Sequence, residues 1–274
     1  MIQNTAMLVS LSISSWGGRK QDKKVTAEVE AAHGARDSGK FNKVLVGKAL
    51  LEPIGNVISR ARAAHYHNTL PWTDDGRRIL PSKNFMGCTT ELRTLKTEFD
   101  TAVRNMISAY PAEVQTARVR LGSMYDPGDY PDPADIASRF DFKVEFEPIP
   151  DAKDFRVDVS AEAMNELKDS VTHTVVMRQA KAMESCYSRL REVVSKVEQR
   201  LSVPDAIFKD SLIQNIKDEC SIMDGLNITN DERLTRLVAD IQACLIVPPQ
   251  TIRNSPTTRV RIAVDAALIL QRIP

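Results

Sequence analysis

Val9, Leu11 and Ile13 alternate with Ser10, Ser12 and Ser14 near the start of the chain, an apolar face and a polar face at period two. This predicts a half-buried strand over residues 7–15. Gly17 and Gly18 end it, and a charged stretch follows that holds a short helix around Lys24–Ala32 and further breaks at Gly34 and Gly39. Glycine breaks among charges predict a mobile connection. From Lys48 to Asn68 the period lengthens to that of a helix, with Leu50, Leu51, Ile54, Val57, Ile58 and Ala61 as its apolar stripe. "TLPWTDDGRRILP" then reads as a compact loop or tight hairpin with Trp72 as its anchor. Leu92, Leu95, Phe99, Val103 and Met106 predict a second long helix over Thr89–Tyr110, and a third runs over Glu113–Tyr125 into the Gly- and Pro-rich "MYDPGDYPDP".

The centre returns to period two. Phe140, Phe142, Val144 and Phe146 alternate with charged residues, and Phe155, Val157 and Val159 do the same, predicting two strands joined by a proline-containing turn. Together with the N-terminal strand they make an expected three-stranded antiparallel sheet. Ser160, followed by Glu162 and Glu166, is an N-cap for a helix over 161–201. In that helix Val176, Ala180, Met183, Tyr187, Leu190, Val194, Val197 and Leu201 recur at alternating steps of 4 and 3, the seam of a coiled coil or a long antiparallel hairpin. Its expected partner is Asp205–Met223, with further helices over Asp231–Ile246 and Thr257–Ile273. The fold class read from these periods is α+β, predominantly α-helical: an α+β domain over 1–160 and a helical domain over 161–274.

Composition changes this picture little. With 42% apolar and 27% charged residues over 274 positions, the chain has the make-up of a soluble globular protein, and few aromatics and glycines argue against an all-β fold. Charge adds more. The net value of +1 conceals a basic stretch over 1–83, with 13 basic and 7 acidic residues, and an acidic one over 84–160, with 9 and 14. A polyanion would meet the first third first. Cys88, Cys186, Cys220 and Cys244 stand far apart and read as buried thiols of a reducing compartment. Without a charged signal segment or a long apolar run, a cytoplasmic, membrane-free protein is expected.

Motifs with chemistry are scarce. "DSGK" at Asp37–Lys40 lacks the spacing and the hydroxyl of a phosphate loop. His65 and His67, two apart on a helix, point about 200° from each other and do not share a metal ion. Asp126, Asp129, Asp132 and Asp135 recur every third residue in a loop, out of register with a calcium loop. Neither a nucleophile motif nor a cofactor fingerprint is present, so no catalytic residue, metal ligand or cofactor is assigned.

The leading candidate chemistry is a cationic surface for phosphates. Arg19, Lys20, Lys23 and Lys24 follow the Trp16-Gly17-Gly18 turn, and Arg36, Lys40 and Lys43 surround the later glycines, moderated by Asp22, Glu28, Glu30 and Asp37. Arg60, Arg62, Arg77 and Arg78 supplement them, and Trp16 is the expected stacking platform for a base.

The segments "LSISSWGGRK", "NTLPWTDDGRRILP" and "DYPDPADIASRFDFKVEFEPIPDAKDFRV" resemble an uncharacterised helical family of bacteriophages and integrative mobile elements, across about residues 8–245. That resemblance implies a genomic setting near a MoxR-type AAA+ ATPase and recombination genes, and hence mobile-element DNA metabolism. Taken with the cations, the expectation is a non-enzymatic, homo-oligomeric DNA-binding protein that acts on single strands in replication, recombination or annealing. The alternative is a structural or adaptor subunit that self-assembles or serves the ATPase.

Overall fold

The computed structural model describes residues 2–154 and 160–274. The chain is predominantly helical α+β. In order it contains β1 (Ala6–Ser14), β2 (Arg19–Gln21), α1 (Lys23–His33), β3 (Asn42–Val44), α2 (Lys48–Asn68), β4 (Leu70–Pro71), β5 (Arg78–Pro81), α3 (Ser82–Leu121), α4 (Pro133–Ala137) and β6 (Asp141–Glu147). After these come α5 (Ala161–Leu201), α6 (Ser211–Leu226), α7 (Glu232–Leu245), α8 (Pro249–Asn254) and α9 (Pro256–Arg272). The strand expected at Phe155, Val157 and Val159 lies outside the described residues.

Two compact units are present, each assembled from separated stretches. One comprises Met1–Ser10, His65–Thr89 and Glu145–Pro274, the other Leu11–Ala64 and Thr90–Val144. This division passes through the continuous elements β1, α2, α3 and β6.

The sheet is larger than the expected three strands. Its order is β4-β5-β1-β6, and a separate ribbon pairs β2 with β3. "TLPWTDDGRRILP" supplies two of the strands: Leu70 pairs with Ile79 and Pro71 with Arg78 around a turn with Gly76 at φ 93°, and Trp72 is buried as its anchor. β5 continues the sheet onto β1 through Ala6–Pro81 and Leu8–Ile79.

In the first unit, Leu8, Leu70, Trp72 and Ile79 share one core with α5 to α9. α5 starts where Ser160 places it, its hydroxyl accepting from the Ala163 amide. α5 packs on α6, the partner expected for it, and also on α9, while α7 packs on α6 and α9, so the helical hairpin is part of a larger bundle. Where α5 ends, the Arg259 guanidinium donates to the carbonyls of Arg200 and Leu201, two of the terminal acceptors a helix leaves open, and to those of Val203 and Ala206 in the loop that follows.

In the second unit, α2 and α3 bury Ile54, Val57, Ile58 and Ala61 and Leu92, Leu95, Phe99 and Met106 as their periods require. The Phe99 ring lies 5.6 Å from that of Phe142 and 6.3 Å from that of Phe140. The helices expected over Thr89–Tyr110 and Glu113–Tyr125 are one. Pro111 lies inside α3, and the turn it would break is held by Tyr110, whose hydroxyl donates to the Pro131 carbonyl and whose ring meets the edge of Trp16.

Candidate nucleic-acid interface

Much of the basic segment after β1 is regular structure, β2, α1 and β3, while residues 35–41, with Arg36 and Lys40, form an irregular connection. Gly18, at φ 62°, lets the chain turn so closely that a Cβ there would lie 2.7 Å from Val46 and 2.8 Å from Leu51, which only glycine permits. The Gly18 carbonyl accepts from the Leu45 amide, and the ribbon follows with Arg19 opposite Val44, Lys20 opposite Lys43 and Gln21 opposite Asn42. Between its strands α1 begins at Asp22, whose carboxylate accepts from the Val25 amide, and ends at left-handed Gly34. The Phe41 amide donates to the Thr26 hydroxyl and the Asp22 amide to the Phe41 carbonyl, tying helix to ribbon.

Lys43 locks this module in place. Only 5% exposed, its ammonium lies 2.5 Å from Asp129 and 3.1 Å from Asp22 and donates to the Met124 carbonyl at 2.8 Å. Burial alone would lower its pKa, but the hydrogen bonds it donates to the Asp129 and Asp22 carboxylates outweigh that and hold it above the ordinary lysine value. For Asp129 burial acts upward and is overcome by Lys20 and Lys43, leaving its carboxyl below the usual range. Asp22 is held low by the Val25 amide first and by Lys43 second. Lys20 completes the cluster at 2.7 Å from Asp129. Two ammoniums against two carboxylates give a charge-neutral tie.

The twelve residues expected to touch nucleic acid therefore divide. Trp16 is 7% exposed, its ring roughly perpendicular to that of Tyr110 with centroids 5.8 Å apart, so burial leaves it no open face for stacking a base. Lys43, and half-exposed Lys20, are occupied by Asp22 and Asp129. Arg60 makes a two-pronged pair with Glu98, which raises its pKa. Arg77, in the other unit, faces Glu147 at 3.4 Å and Asp75 at 3.8 Å. Arg78 is largely enclosed: its Nε donates to the Thr69 hydroxyl, its Nη2 to the Thr69 carbonyl, and its guanidinium lies 4.5 Å from the Tyr66 ring centre. It is a structural clasp and not a surface cation. Arg19, Lys23, Lys24, Arg36, Lys40 and Arg62 are exposed, without a carboxylate partner among the described residues.

The ribbon separates the cations further, because side chains alternate across it. Lys20 and Lys43 face a cleft of about 640 Å³ that Asp22, Lys23, Lys24, Glu28, Asp126 and Asp129 also line. Arg19 and Val44 face the opposite way, into a cleft of about 440 Å³ against α2, completed by Gly17, Val46, Lys48, Leu51, Glu52, Gly55, Asn56 and Ser59. Lys48, Asn56 and Ser59 went unnoticed in the sequence, although the row Lys48, Glu52, Asn56, Ser59, Arg62 has the i, i+3/i+4 spacing of one helix face.

The other candidate chemistry resolves into architecture. Asp126 and Asp132 accept from the amides of Gly128 and Ala134 and shape the turns of their loop. Among the described residues no group of three or more His, Cys, Asp or Glu is placed to hold a metal ion. Cys88, Cys186 and Cys220 are buried, and burial pushes the Cys186 and Cys220 thiols up to about 12. No described helix is long and apolar enough to cross a membrane. Comparisons with protein-family models, curated proteins and solved structures find no match.

Proposed function

We propose that this chain is a non-enzymatic nucleic-acid-binding protein, acting on single-stranded DNA in the replication or recombination of a phage or mobile element. One observation carries the reading: within the 19–44 module, Arg19, Lys23, Lys24, Arg36 and Lys40 are exposed and free of carboxylate partners among the described residues, on a scaffold fixed by the Lys43 tie. Cations preorganised in this way attract a polyanion without first being released from intramolecular pairs. Phosphate contacts release counterions, so affinity falls linearly on a logarithmic salt scale. Fluorescence polarisation with a labelled single-stranded oligonucleotide over a salt series is expected to give that steep loss. Absence of binding at low salt would sink the proposal.

A second reading, an adaptor or self-assembling subunit, is favoured by α9. Val260, Val264 and Leu268, one turn apart, are 61%, 52% and 54% exposed and form an apolar stripe opposite the buried face. Light scattering on wild type and Val264→Asp distinguishes it: under this reading the wild type is oligomeric and the variant monomeric.

A further inference from the structure

Resting on the nucleic-acid reading, we infer that the backbone of a single strand runs through the smaller cleft, between the β2–β3 ribbon and α2, held by Arg19 and Lys48 and continuing toward Arg62.

Charge decides between the two faces of the ribbon. The larger cleft is lined by Lys20, Lys23, Lys24 and Lys43 and by Asp22, Glu28, Asp126 and Asp129, so its ionised groups cancel. Two of those lysines are already held by carboxylates at 2.5–3.1 Å. The smaller cleft has Arg19 and Lys48 against Glu52 alone, and neither cation has an ion-pair partner among the described residues. Arg62 extends the same helix row by one turn. A polyanion gains from uncompensated cations and meets repulsion from Asp126 and Glu28 on the other side.

The lining suits a phosphodiester. Asn56 and Ser59 offer an amide and a hydroxyl, the side-chain types that join Arg and Lys in contacts to phosphate and sugar. Nothing lies within 4 Å of the place a Cβ would take on Gly17 or Gly55, so the chain can approach the backbone there. Val44, 38% exposed, and Val46 provide an apolar wall for a sugar or base edge. At about 440 Å³ the cleft is of ligand-site size, enough for a short piece of one strand. The end of α2 itself is closed to an anion, because the Glu113 carboxylate already accepts from the Gly47 amide at 2.6 Å.

The test compares two paired variants of the full chain by polarisation with single-stranded oligo-dT. Arg19→Gln/Lys48→Gln is expected to weaken binding by about tenfold or more at low salt and to make the log–log salt slope shallower by about 1.4, two contacts at ~0.7 each. Lys23→Gln/Lys24→Gln, in the neutral cleft, is expected to change the slope by clearly less than Arg19→Gln/Lys48→Gln does. The reverse pattern overturns the inference while leaving the protein a nucleic-acid binder, as does tighter binding of a duplex than of the single strand. Failure of the wild type to bind any oligonucleotide defeats the broader reading instead. Both substituted sites are exposed, and an unchanged thermal midpoint and far-ultraviolet spectrum show that the variants fold. Asn56→Ala/Ser59→Ala is the uncharged check, expected to reduce affinity without altering the salt slope.

Discussion

Arg78 shows how much a single side chain's role depends on what its neighbours leave unsatisfied. The C-terminal turn of α2 and the residue after it present carbonyls that need donors: the Thr69 hydroxyl serves His65, Arg189 serves His67, Asn84 serves Asn68 and Arg78 serves Thr69. Two guanidiniums at the negative end of a helix are also favoured by its dipole. The cost falls on His65, 4% exposed with Nδ1 unpaired among the described residues, whose pKa burial and then Arg78 depress to about 4. An unfolded histidine takes its proton near 6.5, so between pH 6.5 and 4 the unfolded state binds more protons and stability falls as pH falls. The contribution is whole above pH 6.5, and the loss approaches about 3 kcal/mol below pH 4. Urea unfolding of wild type and His65→Leu across that window checks this: the variant is expected to lose this part of the slope, and identical pH profiles would refute it.

At the scale of elements, α5 shows where a heptad reading drifts. From Met183 to Leu201 the expected seam is buried except at half-buried Tyr187, but nearer the N-terminus the buried residues are Val175 and Ala182, while Val176 is 57% exposed. A straight helix drifts ~20° per heptad against a strict 3.5-residue repeat, so over three heptads the stripe moves by ~60°, more than half the step between adjacent residues. Neighbouring positions should therefore respond oppositely. Val175→Asp is expected to cost about 3 kcal/mol, as a buried unpaired charge does, and Val176→Asp to stay within about 0.5 kcal/mol of wild type in denaturant unfolding. Equal effects at the two positions would contradict the burial pattern. Pro111 teaches the complementary lesson: a residue that ends most helices is carried within α3, where Tyr110 is fixed by Trp16 and Pro131.

At the scale of the molecule, sequence order and spatial order part. Residues 161–274 read as a self-contained helical half, yet their core includes Ile2, Leu8, Leu70, Trp72 and Ile79 from two distant stretches. A fragment of 161–274 leaves the surface those residues cover open to water, at roughly 1.5–3 kcal/mol per large apolar side chain. Circular dichroism during urea titration is expected to show a broad, weakly cooperative transition for the fragment and a sharper one for the full chain. A fragment as cooperative as the whole would overturn this.

Much of the architecture was legible because it is local. The period-two strand at Val9–Ile13, the 21-residue α2 and the 41-residue α5 with its Ser160 cap depend on spacing and on a hydrogen bond three residues long. The cationic character of residues 19–43 was equally visible, since charge is a property of composition. What only the tertiary structure decided is which cations remain available. Asp129 reaches Lys20 and Lys43 from about 90–110 residues away, Glu98 reaches Arg60, and α2's open carbonyls claim Arg78. Trp16 turned inward for the same kind of reason, because Tyr110 and the α3 helix stand beside it. Pairing of this sort depends on distances between residues far apart in the chain, and no local period encodes it. By itself the sequence therefore determined most of the long helices, the strand near its start and the basic stretch; the fold joined two expected helices into α3 and decided which face of the ribbon keeps its charge, because partners for buried or paired ions are fixed by packing in three dimensions.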